Sequence, residues 1–309
     1  MISIIVPTVD MSREKQILKN VGNCGDEVII VQGRNPSAQR NEGIKRAKGD
    51  VLFFCDDDSV LFKECFKKAA EIFSKDKDVG VVGGPSLTPV KDGLIQKTFG
   101  AVLSSPWATG MSSARYRKKG KMRETNEKEL ILCNMFIKRE VFNNCGYFRE
   151  DLYPNEENEF LNRVQMLKYK IIYSPDVYVE RPNRKNHIQF FMQCFNYGRG
   201  RAEQMIKAFN LNDLINTVPA FFVVYLVLMP ITPAIPFKFL PFFAYLFLNF
   251  LFSLKAGREN RITPAILIIF LNFFILHVSY GSGFIWGIIK SVFLKKSMDT
   301  KTEVKIIKK

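Results

Sequence analysis

Residues 49–59 read Gly49-Asp50-Val51-Leu52-Phe53-Phe54-Cys55-Asp56-Asp57-Asp58-Ser59. The short apolar run from Val51 to Cys55 predicts a buried strand. It stops abruptly in three consecutive carboxylates. Like charges side by side repel one another, so a fold that gathers them tends to supply a cation. Along extended backbone, positions i and i+2 share a face, which would aim Asp56 and Asp58 the same way. In a parallel α/β sheet that direction is the crevice at the carboxyl edge, where such sheets bind ligands. Magnesium and manganese prefer oxygen donors, often one or two carboxylates completed by substrate phosphates. The stretch is therefore either a metal–diphosphate site or a solvated acidic turn that closes a strand, and its flanks decide.

Working outward, Ile2 to Val6 predicts a first strand stopped by Pro7. Ser12 offers a cap for a helix running to Val21, with Gly22 as its stop. A second strand spans Glu27 to Val31, and a helix from Pro36 to Lys48 is closed by Gly49. After the acidic cluster come a helix from Leu61 to Ser74 and a strand from Val79 to Val82. Strands alternating with helices imply βαβ units, an α/β fold and a mostly parallel sheet. Right-handed crossovers then bring the strand ends to one edge.

Residues 104–128 are polar and basic, with Arg115, Arg117, Lys118, Lys119, Lys121 and Arg123. They read as a mobile loop, either a solvated charge run or a phosphate contact. Leu130 to Ile137 resumes strand character, interrupted by Cys133 and Asn134, and a short helix from Arg139 to Asn144 ends at Gly146. Asn155 is a candidate N-cap for a helix that turns Phe160, Leu161, Val164 and Leu167 to the core. Glu156 and Glu157 fall in its first turn, where the helix dipole favours the ionised form. Such a carboxylate can accept a proton from a hydroxyl. It is also ordinary first-turn chemistry.

The 309 residues carry a formal charge of +15, yet 47% are hydrophobic and 28 are Phe. A basic and apolar chain suits an anionic surface, membrane or nucleic acid. The apolar residues concentrate in 218–294, which is membrane composition and argues against nucleic acid. The expected organisation is a globular domain over 1–213, membrane helices over 214–294 and a basic tail over 295–309. The first part ends in an amphipathic helix, His187 to Phe209, suited to the headgroup interface. Two hairpins, transmembrane or re-entrant, are expected: the first across 218–254, then a basic loop at 255–261, then a second turning near Tyr280 to Gly283. Basic loops mark the cytoplasmic side, so the expected protein is integral to the cell membrane with its globular domain cytoplasmic. The six cysteines form no CxxC pair, which fits a reducing compartment.

Taken together these segments resemble the family-two inverting glycosyltransferases. The matching elements run in order: Ile4-Ile5-Val6-Pro7-Thr8, Ser37 to Gly43, Gly49 to Asp58, Cys145 to Glu150, and Glu156-Glu157. Asn196-Tyr197-Gly198-Arg199-Gly200-Arg201, with His277 and Tyr280 to Gly283, resembles a membrane-bound subgroup, the succinoglycan-type glucosyltransferases. The resemblance implies a GT-A fold, a UDP- or GDP-sugar donor and Mn2+ or Mg2+ as cofactor; the membrane segment points to a lipid-linked acceptor. It implies that Asp58 holds the metal and that Asp56 meets the ribose or assists the metal. Pro7, Thr8, Gln32, Arg40, Asp57 and Asn134 would line the donor site. Arg199 and Arg201 would meet the leaving diphosphate or a lipid phosphate, and His187 the diphosphate or the metal. Glu157 would be the general base, with Glu156 competing for the role. Two positions depart from the family: Gln32 stands where an Asp often reads the base, and Glu157 where an Asp often serves as base. The implied reaction is a single displacement with inversion. Its rivals are a polyprenyl-phosphate sugar synthase and a non-catalytic membrane scaffold that binds nucleotide sugars.

Overall fold

A computed structural model describes residues 1–152, 154–207, 209, 211–232, 237–293 and 302–308. The chain forms two compact units. One comprises Met1–Val90, Met111–Pro182 and the last strand; the other comprises Lys91–Gly110 and the helices that follow Asn183.

The first unit is built on strands β1 (Ile2–Thr8), β2 (Glu27–Gly33), β3 (Val51–Phe54), β4 (Val79–Gly83) and a short β5 (Ser86–Leu87). Further along come β6 (Arg123–Glu124), β7 (Met135–Lys138), β8 (Lys170–Tyr173), β9 (Val179–Glu180) and β10 (Thr302–Lys308). Eight of them form one sheet in the order β10-β2-β1-β3-β7-β4-β8-β6. β1, β2, β3, β4 and β8 point one way, while β7, β6 and β10 point the other. The sheet is therefore mostly parallel. The remaining pair, β5 and β9, forms a small parallel sheet of its own.

Alternation assigns each strand residue to a face. Ile5, Ile29, Val31, Leu52 and Phe54 join one core cluster, and Ile4, Val6, Val28, Ile30 and Phe53 join the other. Phe53 and Phe54 are wholly buried on opposite faces. Each such side chain contributes about 1.5–3 kcal/mol, which fixes β3 and the acidic cluster that follows it. Gly49 precedes β3 because a Cβ there would meet Ser3 Oγ at 2.6 Å and Met1 O at 2.8 Å.

Helices α1 (Glu14–Val21), α2 (Pro36–Arg46) and α3 (Lys63–Lys75) supply the first crossovers. Ser12 does not cap the first. Asp10 caps a 3-10 turn, Met11–Arg13, that leads into it, its carboxylate accepting from Ser12 N at 2.9 Å, and Arg13 at the N-cap position of α1 makes no capping bond. Asn35 caps α2 and Pro36 opens it, with Asn35 Oδ1 accepting from Ser37 N at 3.1 Å and Ala38 N at 3.2 Å. The interruption expected at Cys133 and Asn134 is a 3-10 turn, Leu132–Asn134, after which β7 begins. There Asn134 Nδ2 donates to Val177 O at 2.8 Å and Pro85 O at 3.2 Å, so the turn pins two neighbouring loops.

The second unit is helical: α4 (Leu94–Leu103), α5 (Pro106–Thr109), α8 (His187–Lys207), α9 (Val218–Leu228), α10 (Leu240–Glu259) and α11 (Ile266–Phe293). The intervening α6 (Arg139–Cys145) and α7 (Glu156–Met166) belong to the first. Two findings correct the sequence reading. Lys255 to Glu259 continue α10 rather than forming a loop. Tyr280 to Gly283 make no turn, because α11 runs unbroken for 28 residues. Its glycines serve close packing instead. A Cβ on Gly283 would lie 2.0 Å from Phe195 O, and one on Gly198 would lie 2.0 Å from Tyr280 O. The backbones of α8 and α11 thus touch.

Polar residues pin the apolar helices. Asn272 Nδ2 donates to Thr98 Oγ1 at 2.9 Å. His277 Nε2 lies 3.2 Å from Trp107 O, which can only accept, so that nitrogen carries the proton. Its Nδ1 then accepts from Tyr245 Oη at 3.0 Å. The helices at Leu240–Glu259 and Thr263–Phe293 are long and apolar enough to cross a membrane.

Candidate active site

The site is organised by three consecutive buried side chains of α2, each tied to a different segment. Gln39 Nε2 donates to Thr8 O at 2.7 Å and Val31 O at 2.6 Å, joining the carboxyl ends of β1 and β2. Arg40 Nη1 donates to Glu156 Oε1 at 2.7 Å, and its Nη2 lies 3.5 Å from Asp56 Oδ1. Asn41 Nδ2 donates to Phe148 O and to Glu150 Oε1, both at 2.9 Å. These partners explain how a mostly polar helix packs against the sheet: Gln39, Arg40 and Asn41 each find partners there, while Ser37 Oγ and Arg40 Nε lack one. Gly43 permits the approach, since a Cβ there would meet Ile5 Cγ2 at 2.5 Å.

The acidic cluster leaves β3 in register with the end of β1, where Ile5 pairs with Phe54. Extending that register puts Asp57 level with Thr8, and Thr8 Oγ1 donates to Asp57 Oδ2 at 2.8 Å. Arg13 Nη1 meets the same oxygen at 2.6 Å. Asp56 is held between Arg40 and Arg181, whose Nη1 donates to Asp56 Oδ2. Asp58 is half-buried. The repulsion among adjacent carboxylates is thus met by guanidinium groups from three separate segments. Arg40 is expected from the sequence to line the donor site, whereas Arg13 and Arg181 do not announce themselves there. Only the charge excess of the cluster signalled that cations had to come from elsewhere.

The acidic pair opens α7. Asn155 stands at the N-cap position with φ 94°, but its side chain makes no capping bond. Asn155 Oδ1 accepts from Asn158 Nδ2 at 2.8 Å instead. Glu156 is buried, with Oε1 on Arg40 and Oε2 lacking a hydrogen-bond partner. Burial pushes its carboxyl up from the ordinary 4.5 to about 8; Glu157 adds to the rise and Arg40 opposes it. Glu157 is more open, its side chain 14% exposed, and lies 3.5 Å from Arg115 Nη1. Arg115, read from sequence as part of a mobile basic loop, either solvated or in contact with phosphate, is buried.

The other sequence candidates fall in several places. Pro7 lies in β1. Gln32, at the end of β2, donates through Nε2 to Val9 O at 3.3 Å. Asn134 is wholly buried. His187, Arg199 and Arg201 belong to the helical unit. His187 packs edge-on to Phe99 at 5.3 Å, and its Nε2 is buried without a hydrogen-bond partner. Arg199 Nε lies 3.7 Å from Glu203 Oε1, and Arg201 Nη1 donates to Gln204 Oε1 at 3.1 Å. The nearby Cys55 is an inert thiol, pushed up first by burial and then by Asp56.

No group of three or more His, Cys, Asp or Glu converges as a metal cage among the described residues. The donors at hand are hard carboxylate oxygens on Asp56 and Asp58. That set fits Mg2+ or Mn2+, which complete their shell with substrate phosphates and water, and does not fit a closed structural site.

Residues 5–146 match Glycosyl transferase family 2. Comparison with curated protein sequences finds no match. Among solved structures, the chain is similar to mannosyltransferase PcManGT from Pyrobaculum calidifontis, in complex with GDP-Man and Mn2+. That pair has TM-score 0.51 and 15% identity, covering 96% of this chain and 88% of the other. S. aureus TarS 1–349 aligns at TM-score 0.42 and 15% identity over 98% of this chain and 96% of that one. Its complex with UDP-GlcNAc aligns at 0.40 and 14%, with the same coverage. With the sheet, its carboxyl-edge acidic cluster and the segment matched to Glycosyl transferase family 2 all in place, the fold is GT-A, that of nucleotide-diphospho-sugar transferases.

Proposed function

We propose that the protein is a membrane-associated inverting glycosyltransferase that moves a sugar from a UDP- or GDP-sugar to a lipid-linked acceptor. The observation that carries this reading is Arg40, which joins Asp56 at the sheet edge to Glu156 at the start of α7. One guanidinium thereby gathers a donor-side acidic cluster and an acceptor-side acidic pair. The match of residues 5–146 supports the same chemistry. GDP-Man and Mn2+ in PcManGT suggest the donor and cofactor class.

Glu157 takes the proton of the acceptor hydroxyl as that oxygen attacks the anomeric carbon. Glu156 is the weaker candidate, because Arg40 holds one of its oxygens and burial favours its protonated form. Arg40 and Arg181 bring positive charge to the crevice where the nucleoside diphosphate departs. A divalent cation held by Asp58 with Asp56 would supply further charge neutralisation on the diphosphate. Backside attack inverts the configuration. Membrane association rests on the two long apolar helices and on large exposed side chains along them, among them Phe243, Phe247, Leu251, Leu267, Leu271 and Val292. Such a surface requires a lipid or protein cover. The sheet unit would then work at the cytoplasmic face.

The test is nucleoside diphosphate release from a panel of UDP- and GDP-sugars by detergent-solubilised protein, with Mn2+ or Mg2+ and a lipid-linked acceptor. Metal-dependent release that is lost in Asp58→Ala and Glu157→Gln supports the proposal. Turnover indifferent to both substitutions overturns it.

A further inference from the structure

The basic stretch that follows α5 is anchored at many points. Tyr173 Oη accepts from Lys119 N at 3.1 Å and donates to Arg117 O at 3.0 Å. Lys118 Nζ sits 4.0 Å from the Tyr178 ring centroid. Arg123 reaches Glu129 Oε1 at 2.7 Å and Oε2 at 3.1 Å. Arg115 turns inward from the head of this stretch. Its Nε donates to Lys128 O at 2.9 Å, and its Nη2 to Glu127 O and Asn158 Oδ1, both at 2.5 Å. The remaining Nη1 points to Glu157 Oε1 at 3.5 Å.

Guanidinium is planar, with its donors in a rigid fork. Two backbone carbonyls and a buried amide oxygen therefore fix the Arg115 plane without help from Glu157. Asn158 is itself wholly buried and tied to Asn155, so the first turn of α7 is held from the same side. The arrangement differs from an exposed ion pair, in which both partners wander.

We infer that Arg115 is the positioning residue of the general base: it holds one Glu157 oxygen and directs the other at the acceptor hydroxyl. The inference rests on the proposed function. It also couples the basic stretch to catalysis, since the carbonyls that orient Arg115 belong to the end of that stretch.

The test compares Arg115→Ala and Arg115→Lys with wild type, using the same donor-release assay. Arg115→Ala should lose about a hundredfold in kcat, the scale of a misplacement near 1 Å, with donor KM within about threefold. Added guanidinium should recover about tenfold of that loss and leave wild type unchanged. Arg115→Lys keeps the charge without the fork; it should fold as wild type and retain an intermediate kcat. In a Glu157→Gln background, Arg115→Ala should cost nothing further. An unchanged kcat, or a loss shared equally with donor KM and untouched by guanidinium, overturns the inference alone. Wild type inactive on every donor and acceptor overturns the proposed function, and the role of Arg115 with it.

Discussion

Arg40 and Glu156 meet at 2.7 Å inside the protein, with side chains 7% and 3% exposed. Removing Arg40 leaves the buried Glu156 carboxyl, whose protonated form burial already favours, without its partner, a cost of about 1–3 kcal/mol. Arg40→Met should therefore lower stability by about that amount. Arg40→Met with Glu156→Leu should recover most of it, because apolar pairs of similar volume often match buried ion pairs. Unfolding in denaturant, with the double-mutant cycle closed, measures the coupling. Neither variant should turn over donor.

The Glu156 carboxyl gives stability a pH dependence of unusual sign. Its folded value is raised to about 8 from 4.5, so between those values the folded state binds the extra proton. Its stabilising contribution is complete below about 4.5 and disappears as pH rises through about 8. Glu156→Gln cannot titrate. Its unfolding midpoint, followed from pH 5 to pH 9, should fall less steeply than that of wild type.

Turnover separates the two glutamates. Glu157→Gln should lower kcat by about 10²–10⁴, the contribution of a positioned base. Glu156→Gln should retain measurable turnover, since its role runs through Arg40. Single-turnover rates at saturating donor decide between them, and equal losses would make the pair one unit.

The α8–α11 crossing sets a fourth expectation. Gly198→Ala and Gly283→Ala each place a methyl 2.0 Å from a backbone oxygen. Backbone cannot move aside as a side chain can, so each should cost about 1–3 kcal/mol or separate the helices. Gly93→Ala, whose nearest neighbour lies at 3.7 Å, is the control. Melting temperatures in one detergent give the comparison.

How far the sequence could be read depended on how local each signal was. β3 and its acidic end were legible because an apolar run and three carboxylates are contiguous. The first turn of α7 was legible for the same reason. The arginines that complete the site were not, because Arg13, Arg115 and Arg181 become neighbours of acids only through the fold. Hydropathy placed the apolar helices but misjudged Tyr280 to Gly283, since glycine permits both a turn and a backbone contact. Lys255 and Arg258 ended α10 too early in the reading, although long basic side chains extend readily from a helix end.

The last strand makes the chain a closed circuit. β10 pairs with β2 from Thr302 opposite Gly33 to Lys308 opposite Glu27, and Lys305 Nζ meets Glu14 Oε2 at 2.5 Å. Everything between Asn183 and β10 is therefore an excursion that leaves one sheet and comes back to it. A protease cut within that excursion would not part the fragments, because the carboxyl-terminal piece remains clasped to β2 through a ladder of main-chain bonds. The helices would stay fastened at two points after their covalent continuity was gone.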